Sequence, residues 1–118
     1  MFYKSYVLIL GMFHEHSRPD RTDYVEIMWE ELKQVEREDN ILLLEKNYKI
    51  CNNCIALGEY DFSSIMHYPS IRGSKNRTVI KPRPDVCLDE EFCQMGQRKG
   101  LSMGDVEKIQ EMYDCGAF

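Results

Sequence analysis

Two short stretches hold most of the side chains that could do chemistry: Gly11-Met12-Phe13-His14-Glu15-His16-Ser17-Arg18-Pro19-Asp20-Arg21 and Ser64-Ile65-Met66-His67-Tyr68-Pro69. All three histidines of the chain lie in them. A neutral imidazole is the commonest metal ligand. His14 and His16, two residues apart, would share one face of a strand, so a site built from His14, His16 and His67 is one reading. Taken singly, His14 and His16 read as surface histidines in a polar turn and Met66 as core filler. Cysteines make a second set. Cys51-x2-Cys54 and Cys87-x5-Cys93 suit two disulfides with three pairings open, or a four-thiolate zinc site. An oxidising compartment, which five cysteines in a short chain suggest, favours the disulfides. Five is odd, so at least one of Cys51, Cys54, Cys87, Cys93 and Cys115 stays outside an internal pair.

The first stretch is similar to the end of the zinc signature H-E-x-x-H-x-x-G-x-x-H of astacin-type zinc metalloendopeptidases, and the second resembles the Met-turn of that metzincin family. Gly96-Gln97-Arg98-Lys99-Gly100-Leu101-Ser102 and Met112-Tyr113-Asp114-Cys115 resemble the family's C-terminal end, so the likeness runs in family order from Gly11 to Cys115. The resemblance implies a zinc cofactor, a protein or peptide substrate, a secreted, extracellular setting and hydrolysis of internal peptide bonds by zinc-activated water. It makes Gly11 the helix breaker and His14 the third zinc histidine. Met66 becomes the hydrophobic floor beneath the metal, and Tyr68 the weak fifth ligand that steadies the developing oxyanion. Glu15 matches a carboxylate that in the family bonds the buried amino terminus of the mature enzyme, a partner not expected here. Arg98 falls where some relatives line the pocket for an acidic substrate side chain, and Cys115 is the thiol whose family partner lies near the domain's start.

The same register exposes a departure. Counting back from His14 puts the first histidine at position 4, the general-base glutamate at 5 and the second histidine at 8, where this chain has Lys4, Ser5 and Leu8. A cationic lysine and an aliphatic side chain offer zinc no lone pair, and serine is no substitute for the carboxylate base. The expectation is a truncated and catalytically impaired metalloendopeptidase, without tight zinc binding, whose missing partner is the N-terminal half of the peptidase domain. The alternatives are a non-catalytic substrate-binding module and a disulfide-rich secreted structural module.

The elements that must position these residues read as an α+β C-terminal subdomain, mostly irregular loops with a central helix and a C-terminal helix. Met1–Phe13 is an atypical apolar segment, too short to span a bilayer; its charged start and apolar run are those of a signal peptide but no small-residue cleavage site follows, so a buried helix or strand or an artefactual start leads that reading. Residues 14–118 form the partial peptidase domain. Tyr24–Trp29 is rich in strand formers. Strong helix formers from Glu30 to about Lys46 predict a helix with Leu32, Val35, Leu42 and Ile41 on one side. Asn47–Asp61 and Pro69–Gly100 are dense in turn residues. Ser102-Met103-Gly104-Asp105 is a capping box with Leu101 and Val106 at staple positions, so a helix should start at Met103. Val106, Ile109 and Tyr113, with Met112 beside them, are expected on its buried face, with Glu107, Lys108 and Glu111 in water.

A chain of 118 residues supports one small core, and 43% hydrophobic with 30% charged residues excludes wholesale disorder. A net charge of −5 with scattered Lys and Arg excludes a nucleic-acid or anionic-membrane footprint. Asn76-Arg77-Thr78 is a glycan acceptor sequence if the chain enters the secretory pathway.

Overall fold

The structure, a computed structural model, describes residues 13–113. The apolar opening, with Lys4, Ser5, Leu8 and Gly11, lies outside the described residues, as does Cys115.

The fold is α+β. Its elements are β1 (Val25–Ile27), α1 (Trp29–Glu38), β2 (Ile71–Arg72), β3 (Arg77–Thr78), β4 (Ile80–Pro82) and α2 (Met103–Tyr113). Single 3-10 turns at Glu15–Ser17, Arg21–Asp23 and Leu44–Tyr48 join them. β1 pairs antiparallel with β4, Val25 opposite Pro82 and Ile27 opposite Ile80, while β2 and β3 form a separate hairpin. Pro82 sits in a two-stranded ladder, where the N–H it lacks can face away from the partner strand. The core lies between these strands and α1, with Val25, Leu32, Val35, Tyr48, Val79 and Ile80 at 1% exposure or less. Among the described residues no helix is long and apolar enough to cross a membrane.

The central helix is shorter than its helix formers suggested. It stops at Glu38 because Asn40 takes a left-handed conformation, φ 57°, and the Ile41 N–H returns to the Glu36 carbonyl at 3.1 Å, a Schellman closure. Asp39 is then held from outside by the Ser74 N–H and hydroxyl at 2.9 and 2.5 Å. Leu42, expected on the buried side, is 87% exposed as a result, and Leu44 re-enters the core through the following 3-10 turn.

The C-terminal helix begins at Met103, as the capping box requires: the Asp105 N–H reaches the Ser102 Oγ at 3.0 Å and the Ser102 N–H reaches Asp105 Oδ2 at 3.1 Å. Its buried face, however, is rotated by one residue. Asp105 and Lys108 are buried and Ile109 and Met112 pack beside Ile65 and Met66, whereas Val106 and Tyr113 are 41% and 53% exposed. A carboxylate and an ammonium occupy the inner face because buried partners await them, and apolar periodicity cannot register that.

The loops are cross-linked locally, Cys51 to Cys54 and Cys87 to Cys93, which selects the disulfide reading over a four-thiolate zinc site.

Candidate active site

The two chemistry-bearing stretches meet. The Met66 carbonyl accepts two bonds from the other stretch, from the Glu15 N–H at 3.1 Å and from His14 Nδ1 at 3.1 Å. An Nδ1–H engaged by a carbonyl fixes the tautomer that presents the Nε2 lone pair, the arrangement by which metal-binding imidazoles are oriented. The Tyr68 ring stands edge-on to His14 with centroids 4.6 Å apart. His14 therefore shares one corner of the molecule with Met66 and Tyr68, more than fifty residues downstream.

Behind that corner His16 is wholly buried, which removes the reading of it as a surface histidine. Its Nε2–H donates to the Asn47 carbonyl at 2.8 Å, and its ring lies 4.0 Å from that of Tyr68. Burial lowers its pKa to about 3, so the ring is neutral at physiological pH, and its Nδ1 is buried without a hydrogen-bond partner among the described residues. His67 turns the other way: Nδ1 donates to the Tyr68 carbonyl at 2.7 Å and Nε2 accepts the Tyr60 hydroxyl at 2.7 Å. Both ring nitrogens are committed to protein groups, so a site built from His14, His16 and His67 is not assembled.

Glu15 is held from three directions. Its Oε2 accepts Lys108 Nζ at 2.6 Å, the Asp61 N–H at 2.7 Å and Arg18 Nη1 at 3.3 Å. Burial pushes this carboxyl up, and Lys108 is the strongest influence pulling it back. Here Lys108 supplies the cation that Glu15 was expected to lack; it was expected in water because its position falls beside an apolar stripe, yet it is buried. Arg18 also grips Asp20 through two bonds of 2.9 Å and the Leu57 and Gly58 carbonyls at 3.1 and 2.9 Å. The turn that reads as polar and solvated is thus anchored inside.

The Met-turn itself hangs on α2. Asp105 accepts the Ser64 hydroxyl at 2.5 Å and the Ile65 N–H at 2.8 Å, and Ser64 Oγ accepts the Met66 N–H at 3.0 Å. Met66 is fully buried against Ile109 and Met112. Gly96 closes the far side: it has φ 85°, and a Cβ there would stand 2.5 Å from Pro69 Cβ. Sequence reasoning had no signal for Ser64, and it saw in Asp105 only a helix cap.

Arg98 is exposed in the adjoining turn, which Gln97 fastens through Nε2 to the Ser63 carbonyl at 2.7 Å. It is not among the residues lining the cavity of about 410 Å³ beside His14, whose walls include Phe13, Glu15, Ile55, Lys108 and Met112. Asn76 is exposed in the β2–β3 turn.

A catalytic zinc needs three protein ligands and an open position. The His14 bond to the Met66 carbonyl has the form that orients metal-binding imidazoles, yet among the described residues no group of three or more His, Cys, Asp or Glu side chains gathers where it could hold an ion. The described residues therefore fit part of such a centre and not the whole.

Comparison with known proteins gives the same setting. The family model Astacin (Peptidase family M12A) matches residues 6–114. An astacin-like metalloendopeptidase of Gallus gallus is 41% identical over 109 residues, covering 90% of this chain and 24% of that protein. Nematocyst expressed protein 6 of Nematostella vectensis is 36% identical over 114 residues, 92% of this chain and 34% of that protein. High choriolytic enzyme 1, a hatching enzyme zinc-protease from Oryzias latipes (medaka), superimposes with a TM-score of 0.70 at 31% identity, over 90% of this chain and 48% of that one. The chain thus spans from about a quarter to about a third of the curated relatives named here. With the family model matching nearly all of it, and with His14, Met66 and Tyr68 brought to one corner, this chain belongs to the astacin family.

Proposed function

We propose that this chain is the C-terminal part, residues 14–118, of an astacin-type zinc metalloendopeptidase domain that acts on protein or peptide substrates outside the cell. His14 contributes one zinc ligand, Met66 the apolar floor, and Tyr68 a phenol that can reach the metal or the developing oxyanion. When zinc is bound in a complete site, it supplies a polarised water as nucleophile. The observation that carries this reading is the His14–Met66–Tyr68 corner, assembled across the chain by bonds to the Met66 carbonyl.

On its own the chain does not turn over substrate, because Lys4, Ser5 and Leu8 stand where two ligands and the base are needed. An N-terminal half carrying those groups is the partner it requires. Glu15, Lys108 and Arg18 keep the turn after His14 rigid, and Asn76 is a glycan acceptor on the exposed β2–β3 turn. Arg98 supports at most a peripheral contact with an acidic substrate residue. The cavity beside His14 favours a second reading, a module that captures substrate without cutting it.

The test is zinc content after dialysis, together with cleavage of a fluorogenic peptide with and without chelator. Substoichiometric zinc and no chelator-sensitive cleavage are expected. Stoichiometric zinc with turnover overturns the inactive reading, and peptide capture without cleavage selects the second one.

A further inference from the structure

The Met66 carbonyl can orient His14 only if the turn that carries it is itself held, and the bonds that hold it lead to one side chain on another element. Asp105 is fully buried near the start of α2. Its Oδ1 takes the Ser64 hydroxyl at 2.5 Å, and its Oδ2 takes the Ile65 N–H at 2.8 Å and the Ser102 N–H at 3.1 Å. Ser64 Oγ passes the restraint on by accepting the Met66 N–H at 3.0 Å. Three consecutive residues of the Met-turn are thereby tied to one carboxylate.

Capping alone does not account for this. A cap needs the reciprocal Ser102–Asp105 bonds, and both are present. The bonds to Ser64 and Ile65 lie some forty residues away in sequence and add nothing to the helix end. They fix a turn whose carbonyl, two residues beyond Ser64, receives the Nδ1–H of His14 at 3.1 Å. Charge-assisted bonds to a buried carboxylate are stronger than neutral ones, so the clamp is stiffer than the bond it positions.

We infer that Asp105, acting through Ser64, is a positioning residue that sets the tautomer and direction of the His14 imidazole. The consequence for metal binding rests on the reading of His14 as a zinc ligand, but the inference itself concerns the metal-free chain. It is therefore tested without metal, and zinc content separately tests the other reading.

The experiment is long-range 1H–15N correlation on 15N-histidine-labelled chain at about pH 8.5, well above the ordinary imidazole range. The His14 signals are assigned by their loss in His14→Gln. Wild type should show His14 protonated at Nδ1. Ser64→Ala leaves the Ser102–Asp105 cap intact and cuts the link to Met66. It should lower the Nδ1–H to Nε2–H ratio by about fivefold, the worth of one hydrogen bond. Asp105→Asn should act in the same direction. Leu32→Ala, which loosens the core away from this corner, should leave the ratio unchanged. If Ser64→Ala and Asp105→Asn lower the melting temperature while the His14 ratio stays at its wild-type value, Asp105 is only a cap and the inference is overturned. Should Asp105→Asn fail to fold, Ser64→Ala decides alone.

Discussion

The cluster between β1, α1 and β4 and the cluster beneath the Met-turn are equally buried and are made of opposite materials. The first is aliphatic and aromatic, with Leu32, Val35, Val79 and Ile80 at its centre. The second contains Glu15, His16, Ser64, His67, Asp105 and Lys108, all at 5% exposure or less. Apolar contacts are non-directional, so the first cluster supplies stability while tolerating volume-conserving exchange. Hydrogen bonds and ion pairs are directional and costly when left unmade, so the second supplies position and tolerates little. His14, proposed above as a zinc ligand, is bonded to the second through the Met66 carbonyl.

The largest effect that would break this contrast is at the buried ion pair. Lys108→Met leaves the buried Glu15 carboxyl short of its nearest partner, and should destabilise the chain by about 3–5 kcal/mol in urea unfolding. Adding Glu15→Gln should recover much of that loss, because a broken pair costs more than an absent one. If the double variant is no more stable than the single one, the pair is not acting as a unit.

Leu32→Ala should cost about 2–5 kcal/mol, the range for an emptied aliphatic site. It should act on stability alone, and a changed orientation of His14 in that variant would dissolve the distinction between the clusters.

His16 sharpens the contrast through pH. Its folded pKa of about 3 lies below the 6.5 of an unfolded histidine, so the unfolded chain binds more protons between those values. Its contribution is complete above pH 6.5 and is lost as pH falls towards 3. Melting temperature should decline over that interval, and His16→Gln, which can still donate to the Asn47 carbonyl, should flatten the decline between pH 6.5 and 4.5.

The smallest effect belongs to the surface. Arg77 holds Glu38 through bonds of 2.8 and 2.6 Å and lowers its carboxyl to about 2. Stability from this pair is present above the ordinary carboxylate value of 4.5 and is lost as pH falls towards 2. Arg77→Ala should remove that acid limb, with little change at neutral pH and less still in high salt.

What the sequence disclosed follows the same division. The start of α2 was legible because a capping box is a local pattern, and β1 because its strand formers are contiguous. The corner of His14, Met66 and Tyr68 was legible through family resemblance. The end of α1 was hidden because Asn40 adopts a left-handed turn in the middle of good helix formers. The inner face of α2 was misread because Lys108 and Asp105 are polar, and only their partners Glu15 and Ser64, remote in sequence, make them interior residues. Hydropathy registers transfer to an apolar phase and not the availability of a counter-charge.

The bond from Lys108 to Glu15 joins positions 93 apart in sequence, near the two ends of the described chain. During synthesis Glu15 emerges long before Lys108. The carboxylate beside His14 must therefore stay hydrated until α2 has left the ribosome, and a nascent chain halted before Lys108 would carry His14 and the Met-turn without the ion pair that holds Glu15.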